Sequence, residues 1–141
     1  CKWNCCPSGF FRVHDQCFKY FNDYERSWIS ATSKCLAEGL VLPQPSDPVS
    51  LRSYLVRYYG SKHVWLNGHG DGRYIRWQRG NSAILSSSSF WAPGSPSGRT
   101  STSYCLGLMS SSYWVNNASR QPFYASLCSN TGYYTLCELL R

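Results

Sequence analysis

The sequence predicts an α+β domain stapled by disulfides, and three observations carry that expectation. Eight cysteines fall within 141 residues, without the paired Cys-x-x-Cys and His spacing of a zinc site, so the even count in a small chain favours a disulfide framework and an oxidising compartment. Apolar residues recur at helical spacing between residues 27 and 59. On either side lie short aromatic and apolar runs broken by Gly, Asn and Ser, as strands and turns require. The length suits one domain over residues 1–141, with a long loop region at about 78–113, and we find no internal repeat or linker.

The first 21 residues carry Cys1, Cys5, Cys6 and Cys17 around Phe10, Phe11, Val13, Phe18 and Tyr20. Aromatic and polar residues mix here as in two short strands folded back on each other, a hairpin that a Cys6–Cys17 bond would staple. From Ser27 to Glu38, Trp28, Ala31 and Cys35 mark one face of a helix that Gly39 stops. Pro43 to Ser46 reads as a turn. Asp47 and Pro48 then supply an N-cap and a first-turn proline for a second helix, from about Pro48 to Tyr59, with Leu51, Tyr54, Leu55 and Tyr58 on one face and Gly60 at its end.

Strand-like runs follow at Val64–Leu66 and Tyr74–Trp77, with Asn67–Gly72 between them as a turn rich in Asn-Gly and Asp-Gly signals. That glycine-rich segment lacks phosphate-loop spacing and opens no helix. Residues 105–109, 113–115 and 133–137 read as three last strands. The longest aliphatic run is Leu40-Val41-Leu42, so neither a signal peptide nor a membrane span is expected, and the chain reads as a mature secreted protein.

The formal charge is +7. All seven carboxylates are Asp15, Asp23, Glu25, Glu38, Asp47, Asp71 and Glu138, so residues 72–137 contain none, while Arg73, Arg76, Arg79, Arg99 and Arg120 lie there. Such a surface attracts anionic partners in a salt-dependent way, although basic charge also serves solubility alone.

Function is expected in the stretch Trp91–Cys105, whose two prolines, two glycines and run of hydroxyl residues make a long loop pinned at both ends. It offers hydroxyls from Ser95, Ser97, Thr100, Ser101, Thr102 and Ser103, a guanidinium from Arg99, and the aromatic flanks Trp91, Tyr104 and Tyr113. Such donors hold sugar or sulfate oxygens, and aromatic faces stack on pyranose rings. The competing reading makes Trp91 and Trp114 core residues beneath the loop and its hydroxyls merely solvated.

Cys6-Pro-x-Gly-Phe, Cys17, Ser27-Trp with Ala31 and Cys35, Val64-Trp-Leu-Asn-Gly, Trp91, Cys105, Trp114, Cys128 and the terminal Cys137-Glu together resemble the C-type lectin-like domain. The serine- and tyrosine-rich second half looks most like secreted lectin-like proteins of arthropods, especially crustaceans. The resemblance implies two helices, two small antiparallel sheets and a long ligand-bearing loop. It also implies the pairings Cys6–Cys17, Cys35–Cys137 and Cys105–Cys128, leaving Cys1 and Cys5 to bond each other or to link a second chain.

Sugar-binding members chelate calcium through a Glu-Pro-Asn or Gln-Pro-Asp triplet in the loop and a Trp-Asn-Asp triplet in a following strand. The matching positions here look like Ser95-Pro96-Ser97 and Trp114-Val115-Asn116. Hydroxyls, a valine and one amide cannot supply the carboxylates calcium needs, so the sugar-site calcium is expected to be lost and no cofactor is expected. Pro96 matches a proline that is cis in the family. The expected ligand-binding residues are Ser95, Pro96, Ser97, Arg99, Thr102, Tyr104, Tyr113 and Asn116.

Other chemistry is weaker. Gly94-Ser-Pro-Ser-Gly98 places proline where a nucleophile elbow needs serine, and none of His14, His63 and His69 lies near it in sequence. His63, His69 and Asp71 could ligate a transition metal but more often sit in polar turns. Asn117-Ala-Ser119 is a glycosylation sequon. The expectation is a non-enzymatic recognition protein that binds glycans or microbial surfaces in host defence without calcium. The alternative is a structural or assembly protein contacting other proteins, mineral, pigment or ice. Expected partners are a glycan or protein ligand of anionic character, with no nucleic acid and no membrane span; a homo-oligomer is left open.

Overall fold

The computed structural model describes residues 6–60, 63–110 and 121–140. In chain order it holds β1 (Phe11–Val13), β2 (Gln16–Arg26), α1 (Trp28–Ala37), α2 (Pro48–Tyr59), β3 (Val64–Gly70), β4 (Ile75–Trp77), β5 (Ala83–Ile84), β6 (Tyr104–Leu108), β7 (Phe123–Leu127) and β8 (Tyr133–Leu139).

Both helices begin on their sequence signals. Ser27 caps α1 by accepting from the Ser30 amide, and the helix buries Ala31 and Cys35. The Asp47 carboxylate accepts from the Ser50 amide at 3.0 Å, Pro48 opens α2, and Leu51 and Leu55 go fully under the sheet-facing side. Gly60, at φ 76°, ends it. The apolar face of α2 ends on Tyr59, which packs against the core, rather than on Tyr58, which is 57% exposed.

The described strands form one connected eight-stranded sheet in the order β1-β2-β8-β3-β4-β5, with β6 pairing β3 and β7 pairing β6. The two small antiparallel sheets expected are its two parts, β1-β2-β8 and β3 to β7, and a single parallel pairing, Val64 against Tyr134, joins them. The first hairpin differs, because β2 runs for 11 residues, long enough to track β8 from Cys17 opposite Leu139 to Arg26 opposite Tyr133. Two aromatic clusters fill the interior. Phe11, Phe18, Leu51, Leu55, Leu66, Leu106 and Phe123 belong to one; Ala31, Trp65, Tyr133, Met109 and the Cys35–Cys137 bridge belong to the other.

The glycine-rich segment 67–72 is mostly strand. β3 continues to Gly70, and the turn is confined to Asp71–Tyr74, where the Asp71 carboxylate accepts from the amides of Arg73 and Tyr74. The glycines serve close approach: a Cβ on Gly68 would lie 2.7 Å from that of Leu106, and one on Gly70 would lie 2.0 Å from the Ser101 carbonyl oxygen. β7 is a strand that the sequence reading missed, and the strand it expected at 113–115 lies outside the described residues.

The bridges Cys6–Cys17, Cys35–Cys137 and Cys105–Cys128 are formed. The last pins the start of β6, where the long loop re-enters the sheet, to the end of β7. Cys1 and Cys5 lie outside the described residues.

Candidate functional site

The long loop leaves the sheet at Ala92 and re-enters at Tyr104, and backbone bonds fix much of its path. The Ala92 amide donates to Phe123 O at 2.8 Å, and the Phe123 amide to Phe90 O at 2.9 Å. Farther along, the Gly72 amide donates to Thr100 O at 2.9 Å and the Cys128 amide to Ser103 O at 2.8 Å. His69 adds a side-chain tie, its Nε2 donating to Thr102 O at 2.8 Å. Within the loop the Ser95–Pro96 peptide is cis.

These ties place β7 beside the loop. The Ser95 hydroxyl turns inward and accepts from the Ala125 amide at 3.0 Å. β7, with Phe123, Tyr124 and Ala125, therefore runs beside Ser95-Pro96-Ser97, and residues 114–116 lie outside the described residues. The alternation Phe-Tyr-Ala-Ser-Leu directly before Cys128 was the signal for this strand; the aromatic run at 113–115 drew the reading away from it.

Between loop and strand lies an open cleft of about 300 Å³ lined by Arg99, Tyr104, Tyr124, Ser126, Leu127 and Asn130. Arg99 Nη1 donates to the Tyr124 hydroxyl at 3.1 Å. Beneath the cleft, the Ser126 hydroxyl bonds the buried phenol of Tyr133, whose pKa burial pushes up to about 12. That phenol keeps its proton and stays a neutral support beneath Ser126.

The expected loop residues thus separate. Arg99 and Tyr104 enter the cleft. Ser97 and Thr102 are exposed, Pro96 is buried, and Ser95 braces the strand. Tyr113, Trp114, Asn116 and the sequon residue Asn117 lie outside the described residues. Tyr124, Ser126, Leu127 and Asn130 were not foreseen. Trp91 is a core residue: its indole donates to Leu85 O at 2.9 Å and meets Phe123 edge-on.

The basic surface is also narrower than its sequence suggests. Arg76 pairs with Asp71, and Arg79 with Glu138 at 3.4 Å, both carboxylates lying outside the acid-free stretch. Among the described arginines of that stretch, Arg73 and Arg99 have no carboxylate within ion-pair distance.

His63, His69 and Asp71 form no metal-ligating group among the described residues. His63 Nδ1 accepts from the Ser110 amide, His69 holds Thr102, and Asp71 holds its own turn and Arg76. His69 does approach the sulfurs of Cys105 and Cys128, but those are bonded to each other and offer no thiolate.

Two helices, this sheet, the three bridges and a loop pinned onto β7 give the chain the C-type lectin-like fold. No family model matches it. It is similar to C-type lectin domain family 2 member F of Mus musculus, 30% identical over 73 residues, covering 52% of this chain and 36% of that protein. It is also similar to the C-type lectin lectoxin-Lio1 of Erythrolamprus poecilogyrus, 28% identical over 112 residues, covering 74% of this chain and 66% of the relative. The match therefore spans about a third of the mouse protein's length.

Among solved structures, the SPL-1–GlcNAc complex superimposes with a TM-score of 0.73 at 20% identity, covering 99% of this chain and 98% of the other. The Ca2+-independent C-type lectin SPL-2 from Saxidomus purpuratus gives 0.73 at 19% identity, covering 99% and 96%. At such identities the likeness establishes the fold. The sequence relatives are C-type lectins, in agreement with a non-enzymatic protein. Among the described residues no helix is long and apolar enough to cross a membrane.

Proposed function

We propose that this chain is a secreted recognition protein that binds glycans without calcium in host defence, with the cleft between the long loop and β7 as its combining site. The observation that carries the reading is the Arg99–Tyr124 pair, a cationic donor and an aromatic ring set side by side at the mouth of a cleft whose lining holds no carboxylate.

Calcium calls for six to eight hard oxygen ligands, with affinity tracking the carboxylates supplied. Ser95, Ser97 and Tyr124 supply only hydroxyls, Phe123 and Ala125 no side-chain oxygen, and the Ser95 hydroxyl already accepts from a backbone amide. This donor set does not fit the metal. It does fit a sugar: the guanidinium, phenol, Ser126 hydroxyl and Asn130 carboxamide can hold hydroxyl, sulfate or carboxylate oxygens, and the tyrosine rings offer faces for a pyranose.

The acid-free stretch favours an acidic glycan, with binding that weakens as salt rises. SPL-2, described as Ca2+-independent, and SPL-1, solved with GlcNAc, lend the reading support by analogy of fold. The same reading includes the likeness of the second half to secreted arthropod lectin-like proteins, one domain over residues 1–141, a glycan on Asn117 and a local Cys1–Cys5 bond.

The test is a glycan array at low and moderate salt, in calcium and in chelator, with Arg99→Ala beside the native protein. Binding that survives chelation and is lost in the variant is expected. No bound glycan at either salt overturns the reading, and chelator-sensitive binding overturns its calcium independence.

A further inference from the structure

A second cavity, larger than the glycan cleft at about 390 Å³, opens on another part of the surface and shares no lining residue with it. Its aromatic walls are Trp77 of β4, Phe90 of the segment before the long loop, and Phe123 of β7. Trp77 and Phe90 approach Phe123 with ring centres 5.8 and 5.6 Å away, so these three walls brace one another. Ala83 and Ile84 of β5, with Leu85, Pro45 and Pro48, complete the apolar surface.

Among the described residues, no charged side chain lines this cavity. Nearby charges are engaged elsewhere: Arg76 with Asp71 and the Asn81 carbonyl, Asp47 with Ser50 and His14. An ion entering would give up hydration with no opposite charge to meet it. The polar side chains present are the Trp77 indole and the serines Ser46, Ser82, Ser87 and Ser88, of which the Ser46 hydroxyl donates to Gln16 Oε1 and that of Ser88 accepts from the Phe90 amide. A saccharide is poorly served, because the lining among the described residues has no carboxylate, carboxamide or guanidinium to bridge neighbouring sugar hydroxyls. The volume lies at the low end for small-molecule sites, room for one or two rings.

We propose that this cavity is a binding site for an uncharged aromatic compound bearing a hydroxyl group, its ring against Trp77 and Phe90 and its hydroxyl among the serines. The site is independent of the glycan cleft, and its test does not depend on a sugar ligand.

The experiment titrates isotopically labelled full chain with 2-phenylethanol, phenylacetate and 2-phenylethylamine, following amide shifts. Saturable shifts at Trp77 and residues 82–88 are expected with the alcohol, and binding about tenfold or more weaker with either charged analogue. Ala83→Phe, which fills the cavity, and Ser87→Trp, which covers it from an exposed position, should each abolish binding, while Arg99→Ala should leave it intact. If Ala83→Phe does not fold, Ser87→Trp alone decides. No saturable shift with the alcohol, equal binding of a charged analogue, or undiminished binding in a folded blocking variant overturns the proposal.

Discussion

Arg99 in the long loop and Tyr124 on β7 meet through one hydrogen bond of 3.1 Å, with the guanidinium carbon 5.9 Å from the centre of the phenol ring. The contact is exposed, and it sets a cation and an aromatic face together at the mouth of the cleft. In so exposed a place it contributes little to folding and much to the chemistry presented.

Arg99→Ala should therefore shift the unfolding midpoint by no more than a degree or so, while lowering affinity for an acidic glycan. Hydrogen bonds to a charged group contribute about 1.5–3 kcal/mol, a loss of roughly ten- to a hundredfold. Calorimetric titration beside thermal unfolding reads both. Arg99→Lys should recover only part of the affinity, since it keeps the charge and loses the planar fork.

Millimolar calcium should leave the thermal midpoint where chelator leaves it. A ligand that binds only the folded chain must raise the midpoint. A rise of several degrees would restore calcium to the combining site.

Gly70→Ala should destabilise the fold by about 2 kcal/mol and loosen the loop. The new methyl would meet the carbonyl oxygens of Ser101 and Thr100, at 2.0 and 2.5 Å, and neither is a side chain that can swing away. Chemical denaturation reads the stability, and the rate of proteolysis within the loop reads the loosening.

Removing the Cys35–Cys137 bridge with the double serine variant should cost roughly 4–5 kcal/mol by chain entropy, because the bond closes a long loop. Denaturant titration checks this, and a variant as stable as the native chain would refute the staple's role.

His63 should make stability depend on pH. Burial holds its pKa below the ordinary histidine value of 6.5, and its Nδ1 accepts from the Ser110 amide. The unfolded chain takes up the proton first, so this contribution is complete above pH 6.5 and is lost as pH falls from there toward the folded pKa. A separate loss follows in stronger acid, where Asp23, held near 2 by Arg26, and Asp47, lowered by its bonds to Ser50, take up protons. Thermal unfolding of native protein and His63→Gln between pH 7.5 and 5 should give a slope only in the former.

The helices were legible because their signals are local. Ser27, Asp47, Pro48, Gly39 and Gly60 act within a turn of where they stand. The glycines of β3 misled because their reason is remote: Gly68 makes room for Leu106, and Gly70 for the backbone at Ser101. In the site, Arg99 and Tyr104 were visible as donors in a loop. Tyr124 and Asn130 were not, since tertiary contacts remote in sequence, the pairing of β7 with β6 and its bonds to Ala92 and Ser95, bring that strand alongside. Net charge was plain, but its cancellation at Arg76 and Arg79 depends on Asp71 and Glu138.

The bonds suspending the long loop through Ala92, Thr100, Thr102 and Ser103 all use the main-chain atoms of those residues. Any residue other than proline can make the same attachments. The segment can accordingly exchange outward side chains such as Arg99, while its course over β7 is retained. A library randomised at such positions would vary what the surface grips without rebuilding the frame that holds it, as a tool handle accepts different heads.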